Sequence, residues 1–336
     1  MTQVAGTTDT FDVQSLKESL DPMIWDLFPM DTYFQNNIDK VDVGQPQHQW
    51  VFDSLAAAAN NKQIQGDDAT YATAVTATRV SNYTQIARKA IILSDTLTAS
   101  ETIGQNPMGR EVLKQMKQYK RDVEFDLLGR QGSSAGATNT AAASGGVLAW
   151  IFGQSTAAGA SDSRLNGNTI QPATTTTGTT PGYASSVVAG QTDGTTAASS
   201  ITYTDVESAA ELAWLDGGEP DTIICSNGQK KAVDAFTSRA TRTADISATD
   251  KLSIQGTVNI LVTSFGTFKV VMSRYIPRNC LVVLQMDKWA MGQLRAPKVQ
   301  EMAKTGDATK KMIVGEYTLI ARNPSASAKV VDFKET

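Results

Sequence analysis

Histidine and cysteine are almost missing from this chain: one His, His48, and two Cys, Cys225 and Cys280, in 336 residues. Zinc sites take three or four Cys, His or carboxylate ligands, so the soft ligands for such a site are lacking. A Ser-His-Asp or Cys-His mechanism would have to use His48, which sits in the polar run Gln45-Pro46-Gln47-His48-Gln49-Trp50. Two cysteines in so long a chain make no disulfide scaffold. Each lies in an apolar, strand-like run and reads as a small buried hydrophobe rather than a nucleophile. No apolar run approaches the ~20 residues that span a bilayer. The opening Met-Thr-Gln-Val-Ala-Gly-Thr-Thr-Asp-Thr lacks the basic and apolar regions of a secretory signal. An excess of base is missing too: 30 Lys and Arg stand against 34 Asp and Glu, a formal charge of -4. Affinity for nucleic acid grows with the phosphates neutralised, so this balance excludes a protein built to read DNA or RNA.

Motifs that carry chemistry are equally scarce. There is no Walker P-loop and no strand-linked G-x-G-x-x-G. Gly217-Gly218 follows a helical pattern, the wrong side for cradling phosphate. Asp67-Asp68 is a lone acidic pair, too few oxygens for calcium. Asn82-Tyr83-Thr84 matches a glycosylation sequon, which has no meaning without secretion. No reaction mechanism and no cofactor follow. The expectation is a soluble protein of a reducing compartment that is not an enzyme.

The chain can fold: 41% of its residues are hydrophobic and 19% charged, and its length suits about two domains. Residues 1–43 form an acidic arm with eight acids against Lys17 and Lys40. Its apolar clusters, Met23-Ile24-Trp25 and Leu27-Phe28, are broken by Pro22 and Pro29, too short to close a core alone. The arm either packs on its own domain or lies over another subunit. From residue 49 to 98 the pattern is of strands: Trp50, Phe52 and Leu55, then Ala74–Val80 and Tyr83–Leu93, with a polar loop Asn60–Asp68. Such a projecting hairpin has little to bury by itself.

From Asn106 to about Arg130 the period changes. Met108, Val112, Met116, Tyr119, Val123 and Leu127 make one helical stripe, with Asn106 to cap it and Pro107 at its first position. About 24 residues give a rod of ~36 Å, and its charged face reads as solvated. The segment Gly132–Ser200 is dominated by Ala, Gly, Ser and Thr and reads as a linker or loop, apart from the apolar Val147–Phe152. From Thr204 the chain is mixed α/β: a helix through Val206–Trp214 ended by Gly217-Gly218, a strand Thr222–Cys225, and a helix Gln229–Phe236. Strands Val258–Val262, Thr267–Met272 and Leu281–Met286 follow, then a strand pair Lys311–Ala321 and Ala328–Phe333. Twelve bases stand against six acids from Phe268 onward, opposite in sign to the arm.

Extended pieces of this kind leave apolar surface and strand edges open, which copies of the chain in a repeating assembly would cover. In order along the chain stand Trp50 and Asp53, Gly66-Asp67-Asp68-Ala69, Arg79, Asn82, Gln85 and Ile86, then Ser94 and Thr96 before the long helix. Gly217-Gly218, Pro220-Asp221, Phe265-Gly266, Lys304-Thr305-Gly306-Asp307 and Gly315-Glu316-Tyr317-Thr318-Leu319 follow. This order resembles the major capsid (major head) proteins of tailed bacteriophages with the Hong Kong 97 fold. The resemblance implies an α+β fold: an N-terminal arm (1–43), an extended β-hairpin loop (44–98), and a peripheral domain (99–203) with a spine helix and the Thr/Gly-rich insertion. A mixed α/β axial domain (204–299) and C-terminal strands (300–336) returning to the peripheral domain complete it. Residues 132–200 have no counterpart in the family pattern. A long charged N-terminal coiled coil is also missing, so scaffolding is expected from a separate protein.

The function so implied is a structural one: hexamers and pentamers of a homo-oligomeric icosahedral shell enclosing double-stranded DNA without sequence-specific binding. Portal and scaffolding proteins are implied partners, with a decoration protein as an optional one and no membrane. The location is the virion, after assembly in the bacterial host cytoplasm. The residues singled out for contact between subunits are Trp25, Phe28, Tyr33, Phe34, Trp50, Asp67, Asp68, Arg79, Lys310 and Lys311. Two rival readings stand beside this one: a self-assembling tail-tube or decoration protein, suggested by the Thr/Gly-rich region, and an enzyme with a carboxylate or lysine mechanism.

Overall fold

The computed structural model describes residues 32–53, 60–66, 68, 77–100, 106–129, 131–151, 165–166, 201–236, 260–278 and 280–330. In chain order the helices are α1 Tyr33–Asn37, α2 Asp95–Ala99, α3 Pro107–Leu128, α4 Val147–Trp150, α5 Tyr203–Leu215 and α6 Asn227–Asp234. The strands are β1 Asp39–Asp42, β2 Gln47–Phe52, β3 Thr78–Tyr83, β4 Gln85–Ser94, β5 Leu165–Asn166, β6 Thr222–Cys225, β7 Ile260–Thr263 and β8 Gly266–Met272. Then come β9 Leu281–Leu284, β10 Trp289–Glu301, β11 Ala308–Ala321 and β12 Ala328–Val330.

Among the described residues there are three sheets, with orders β1-β10-β11-β4, β5-β12-β9-β6-β8-β7 and β2-β3. The first is antiparallel except for the β1–β10 pair. The helix α3 lies on one of its faces. Its stripe is the one the spacing predicts: Tyr119, Val123 and Leu127 are buried, Met108, Val112 and Met116 half-buried, all against Ile91, Ile313 and Tyr317. Asn106 starts α3 from a left-handed backbone (φ 56°), its side chain accepting the Gly109 N–H at 2.9 Å, with Pro107 where no donor is needed.

The second sheet is covered on both faces, which is why its middle strands are unbroken apolar runs, Thr-Ile-Ile-Cys and Leu-Val-Val-Leu. Residues alternate between two cores. Ile223, Cys225, Leu281 and Val283 face α5 and α6. Ile224, Val282 and Leu284 face Trp150, Trp289 and the α3 side of the molecule. β9 is thus shared wall between the two halves. Thr202 and Asp205 close a capping box on α5, and Gly217 (φ 83°) ends it in the left-handed region that favours glycine.

Several expectations change. Trp289–Glu301 shows no alternation in the sequence and carries Pro297, yet it forms a 13-residue strand, because β11 pairs along it on one side, with register shifts between Gln293 and Lys298, and β1 pairs with Ala290–Gln293 on the other. It lies in the sheet with α3 rather than with the six-stranded one. The strands near 311–321 and 328–333 do not pair with each other. After β11 a 3-10 turn at Pro324–Ala326 carries the chain across to the other sheet, where β12 pairs with β9 and β5. β3 pairs with β2 as a hairpin, and β4, the strand after Tyr83, enters the four-stranded sheet instead. Within the described part of the Thr/Gly-rich segment, residues 131–146 form a tight loop with bridges Ser134–Ala143 and Ala137–Thr140. The apolar Val147, Leu148, Trp150 and Ile151 after it are fully buried core.

Because Leu281 and Leu284 project from one strand into different cores, Leu281→Ala and Leu284→Ala should each cost about 2–5 kcal/mol. Urea unfolding of the separated protomer measures this; a negligible loss for either would show that its core is not packed as described.

Candidate functional site

Among the described residues the features that set this fold apart are the roots of its protruding parts. The β2–β3 hairpin leaves the body beside Thr84, which is buried. Its N–H donates to Pro46 O at 2.7 Å and its hydroxyl to Glu316 Oε1 at 2.6 Å. Glu316 also accepts from Arg295 Nε at 2.9 Å. Next to it stands Asn82, with 0% exposure. Its amide nitrogen donates to Leu319 O (2.7 Å), Ser144 Oγ (3.2 Å) and Gly145 O (3.4 Å), and its oxygen accepts the N–H of Gly145 (2.9 Å) and Tyr83 (3.0 Å). One side chain therefore ties hairpin, β11 and the 131–146 loop together, every polar atom satisfied. Trp50, half-buried, donates from Nε1 to Ala321 O at 2.7 Å and packs between His48 and Trp150.

The arm has its own root. Glu124, buried on α3, accepts the backbone N–H of Phe34 and of Gln35 at 2.8 Å each and so caps α1. Phe34 is fully buried edge-on to Trp289, with ring centroids 6.4 Å apart. Tyr33 is half-buried, with Lys269 Nζ 5.0 Å from its ring centre. Burial, only partly offset by the two amide hydrogen bonds, pushes the Glu124 carboxyl up to about 7 from the ordinary 4.5.

At the far end of the four-stranded sheet, Asp95 accepts from Lys304 and from Thr309 (2.9 Å), and Thr96 donates to Asp307. The Lys304 ammonium and the Thr309 hydroxyl hold the Asp95 carboxyl below its usual range.

The contact candidates are scattered among these features. Phe34 and Trp50 serve the protomer's own core and hairpin root. Asp68 and Arg79 are exposed on the hairpin and its loop. Lys311 pairs with Glu301 at 2.9 Å on the α3 side of its sheet, whereas Lys310 lies on the opposite face. Trp25, Phe28 and Asp67 lie outside the described residues. Sequence reading missed Glu124, although its place one turn before Leu127 and Leu128 on the buried face was a signal. It quoted Asn82 without its role; an Asn within a strand pattern, where Asn is depleted, was the available hint.

Chemistry is not gathered anywhere among the described residues. No group of three or more His, Cys, Asp or Glu there could hold a metal ion, and no helix is long and apolar enough to cross a membrane. His48 has its pKa lowered by burial, and burial pushes the Cys225 thiol up to about 12, far from a thiolate at neutral pH.

A family model described as "SU10 major capsid protein" matches residues 3–334. The chain is 27% identical, over 95% of its length and 94% of the relative's, to a major capsid protein of Escherichia phage Phieco32. Among solved structures it is similar to the cyanophage A-1(L) capsid (TM-score 0.68, 11% identity, 97% and 98% of the two chains covered). It is also similar to the phage G gp27 major capsid protein, whose structure includes gp26 decoration proteins (TM-score 0.54, 12% identity, 100% of both chains covered).

Two tests follow from the roots. Releasing α1 returns Glu124 to water, where it titrates near 4.5, so the docked state holds the proton more tightly. Docking should therefore strengthen as pH falls from about 7 toward 4.5 and be weakest above 7, a difference of up to about 3 kcal/mol. Amide exchange at Phe34 and Gln35, corrected for intrinsic rates, should show this dependence, and Glu124→Gln should flatten it; an unchanged dependence would count against the clamp. Asn82→Ala strands a buried carbonyl and N–H and should destabilise the protomer by on the order of 3 kcal/mol in denaturant titration, with the hairpin root the first region to lose protection.

Proposed function

The chain belongs to the SU10 major capsid protein family, and on that premise we propose that its copies close an icosahedral shell of hexamers and pentamers around the double-stranded DNA of a tailed bacteriophage. The match along nearly the whole chain carries this reading. The geometry supports it: rigidly rooted extensions carry apolar side chains, such as Val51 and Ile64, that are largely exposed on the single protomer and so suit burial against neighbours.

In this reading the four-stranded sheet and α3 belong to the peripheral unit, the six-stranded sheet with α5 and α6 to the axial one, and the β2–β3 hairpin to the extended loop. The arm crosses to a neighbour, with Trp25 and Phe28 as apolar anchors and its acids setting orientation against basic surface. Exposed ion pairs contribute only ~0–1 kcal/mol each, so apolar burial supplies most of the affinity. Asp68 and Arg79 on the hairpin and Lys310 and Lys311 on β11 are further contacts. The role is structural and carries no catalysis or cofactor. A mildly acidic lining would keep DNA from adhering as it is packaged. Assembly occurs in the host cytoplasm with a separate scaffolding protein and a portal, and a decoration protein is a suitable outside partner, as in the phage G structure.

Electron microscopy of the expressed protein should show closed polyhedra; open tubes alone would favour a tail component instead. Removing residues 1–30 should leave a folded protomer by circular dichroism but no shells by sedimentation, and shells of normal diameter from that truncation would refute the arm's role.

A further inference from the structure

Along α5 the buried residues Val206, Ala209, Ala210 and Ala213 form one stripe of the core under the six-stranded sheet. Trp214 stands away from that stripe at 54% exposure, and Leu215 at 63%. Single apolar residues on a surface are ordinary, but Trp214 is neither isolated nor loose. The β7–β8 turn closes on the same flank of the helix. Phe265 packs on the Trp214 ring with centroids 5.9 Å apart, and Ser264 donates from Oγ to Glu207 Oε1 at 2.9 Å. An indole held by its neighbours and still open to solvent has already lost the freedom that binding would otherwise cost.

The surroundings have one sign. Residues 203–221 carry Asp205, Glu207, Glu211, Asp216, Glu219 and Asp221, and neither lysine nor arginine. Two of these acids serve the protomer's own backbone: Asp205 accepts the Thr202 N–H in the capping box, and Asp221 accepts the Met286 N–H at 3.1 Å. Glu211, Asp216 and Glu219 are exposed. Glu207, Glu211 and Trp214 stand four and three residues apart, so they share one flank of the helix, with Leu215 beside them. Asp216 and Glu219 follow in the turn that Gly217 (φ 83°) folds back.

An apolar centre with a charged rim is the anatomy of a binding patch rather than of a merely solvated helix. Two such patches cannot meet each other, because acids would face acids. The occupant that fits is basic and brings an apolar anchor. Its cations face Glu211 and Glu219, and one of them can lie over the Trp214 ring, since an indole is the best aromatic partner for a cation. The patch belongs to neither the hairpin nor the root of the arm, the parts through which copies reach one another in the shell reading.

We propose that the Trp214–Leu215–Phe265 patch is the docking site of a separate protein, which binds through a segment rich in arginine or lysine with a leucine or phenylalanine anchor. This rests on the shell reading and gives the shell's partner protein a place and a charge.

The test uses assembled particles of the full chain, with the fluorescein-labelled peptide Arg-Leu-Arg-Phe-Arg-Leu as the probe. Fluorescence anisotropy should show binding that weakens on the order of tenfold in Trp214→Ala and in the pair Glu211→Lys, Glu219→Lys. Two control peptides, one with Glu for Arg and one with Ser for the apolar residues, should bind as weakly as the variants do. No binding to the unaltered particle, or equal binding to parent and variants, sinks the site. Both variants should still assemble with normal yield and diameter by electron microscopy. A Trp214→Cys particle should react with a maleimide as readily as its separated protomer does; the native Cys225 and Cys280 are buried. Loss of particles from a variant whose protomer stays folded, or protection of the new thiol on assembly, assigns the patch to a neighbouring copy and overturns the proposal. If the unaltered chain forms no closed particles the shell reading falls, and peptide binding by the protomer still decides the patch.

Discussion

A fully satisfied amide at Asn82 is the constraint on which the extended parts of this protein depend. A two-stranded hairpin cannot hold its own direction in water, because it buries too little. Here its root is fixed by hydrogen bonds that reach β11 and the 131–146 loop at once, in a place without solvent. In such surroundings a bond left unmade is costly, so the arrangement has one geometry rather than several. Glu124 does the same for the arm, and Thr84 with Glu316 and Arg295 for the bend where the hairpin meets the sheet. The described roots of these projections are therefore fixed in one geometry, which a shell subunit needs if every copy is to meet its neighbours alike.

The body that carries them is a single wall with two cores. β6 and β9 present alternate residues to α5 and α6 on one side and to Trp150 and Trp289 on the other. Such strands cannot slip by one residue without exchanging the contents of both cores. Elsewhere apolar side chains stay exposed, Val51 on the hairpin and Ile86 on β4 among them.

Much of this was legible in the residues. The α3 stripe, its Asn106 cap and Pro107, the end of α5 at Gly217-Gly218 and the short buried strands are local signals, and local physics decides them. The order of weak motifs also carried the family. β10 was not legible, because a strand whose outer half is polar and holds a proline has no periodicity of its own; its partners create it. The same holds for residues 131–146, whose composition is that of a linker. They are ordered by groups far away in sequence, Gln85, Asn82 and Leu319 among them.

The sequence by itself determined the long helix with its cap, the short buried strands, that no cluster of soft ligands exists for metal chemistry, and that an acidic leading segment is balanced by a basic end. Those follow from residue type and spacing along the chain. Tertiary structure decided which strands share a sheet and which aromatic groups, Phe34 and Trp289 among them, are buried in the protomer's own core. It also decided that a glutamate would sit in the dry interior as a cap. The physical reason is that pairing and burial are settled between residues hundreds of positions apart, and no local pattern records the distance between them.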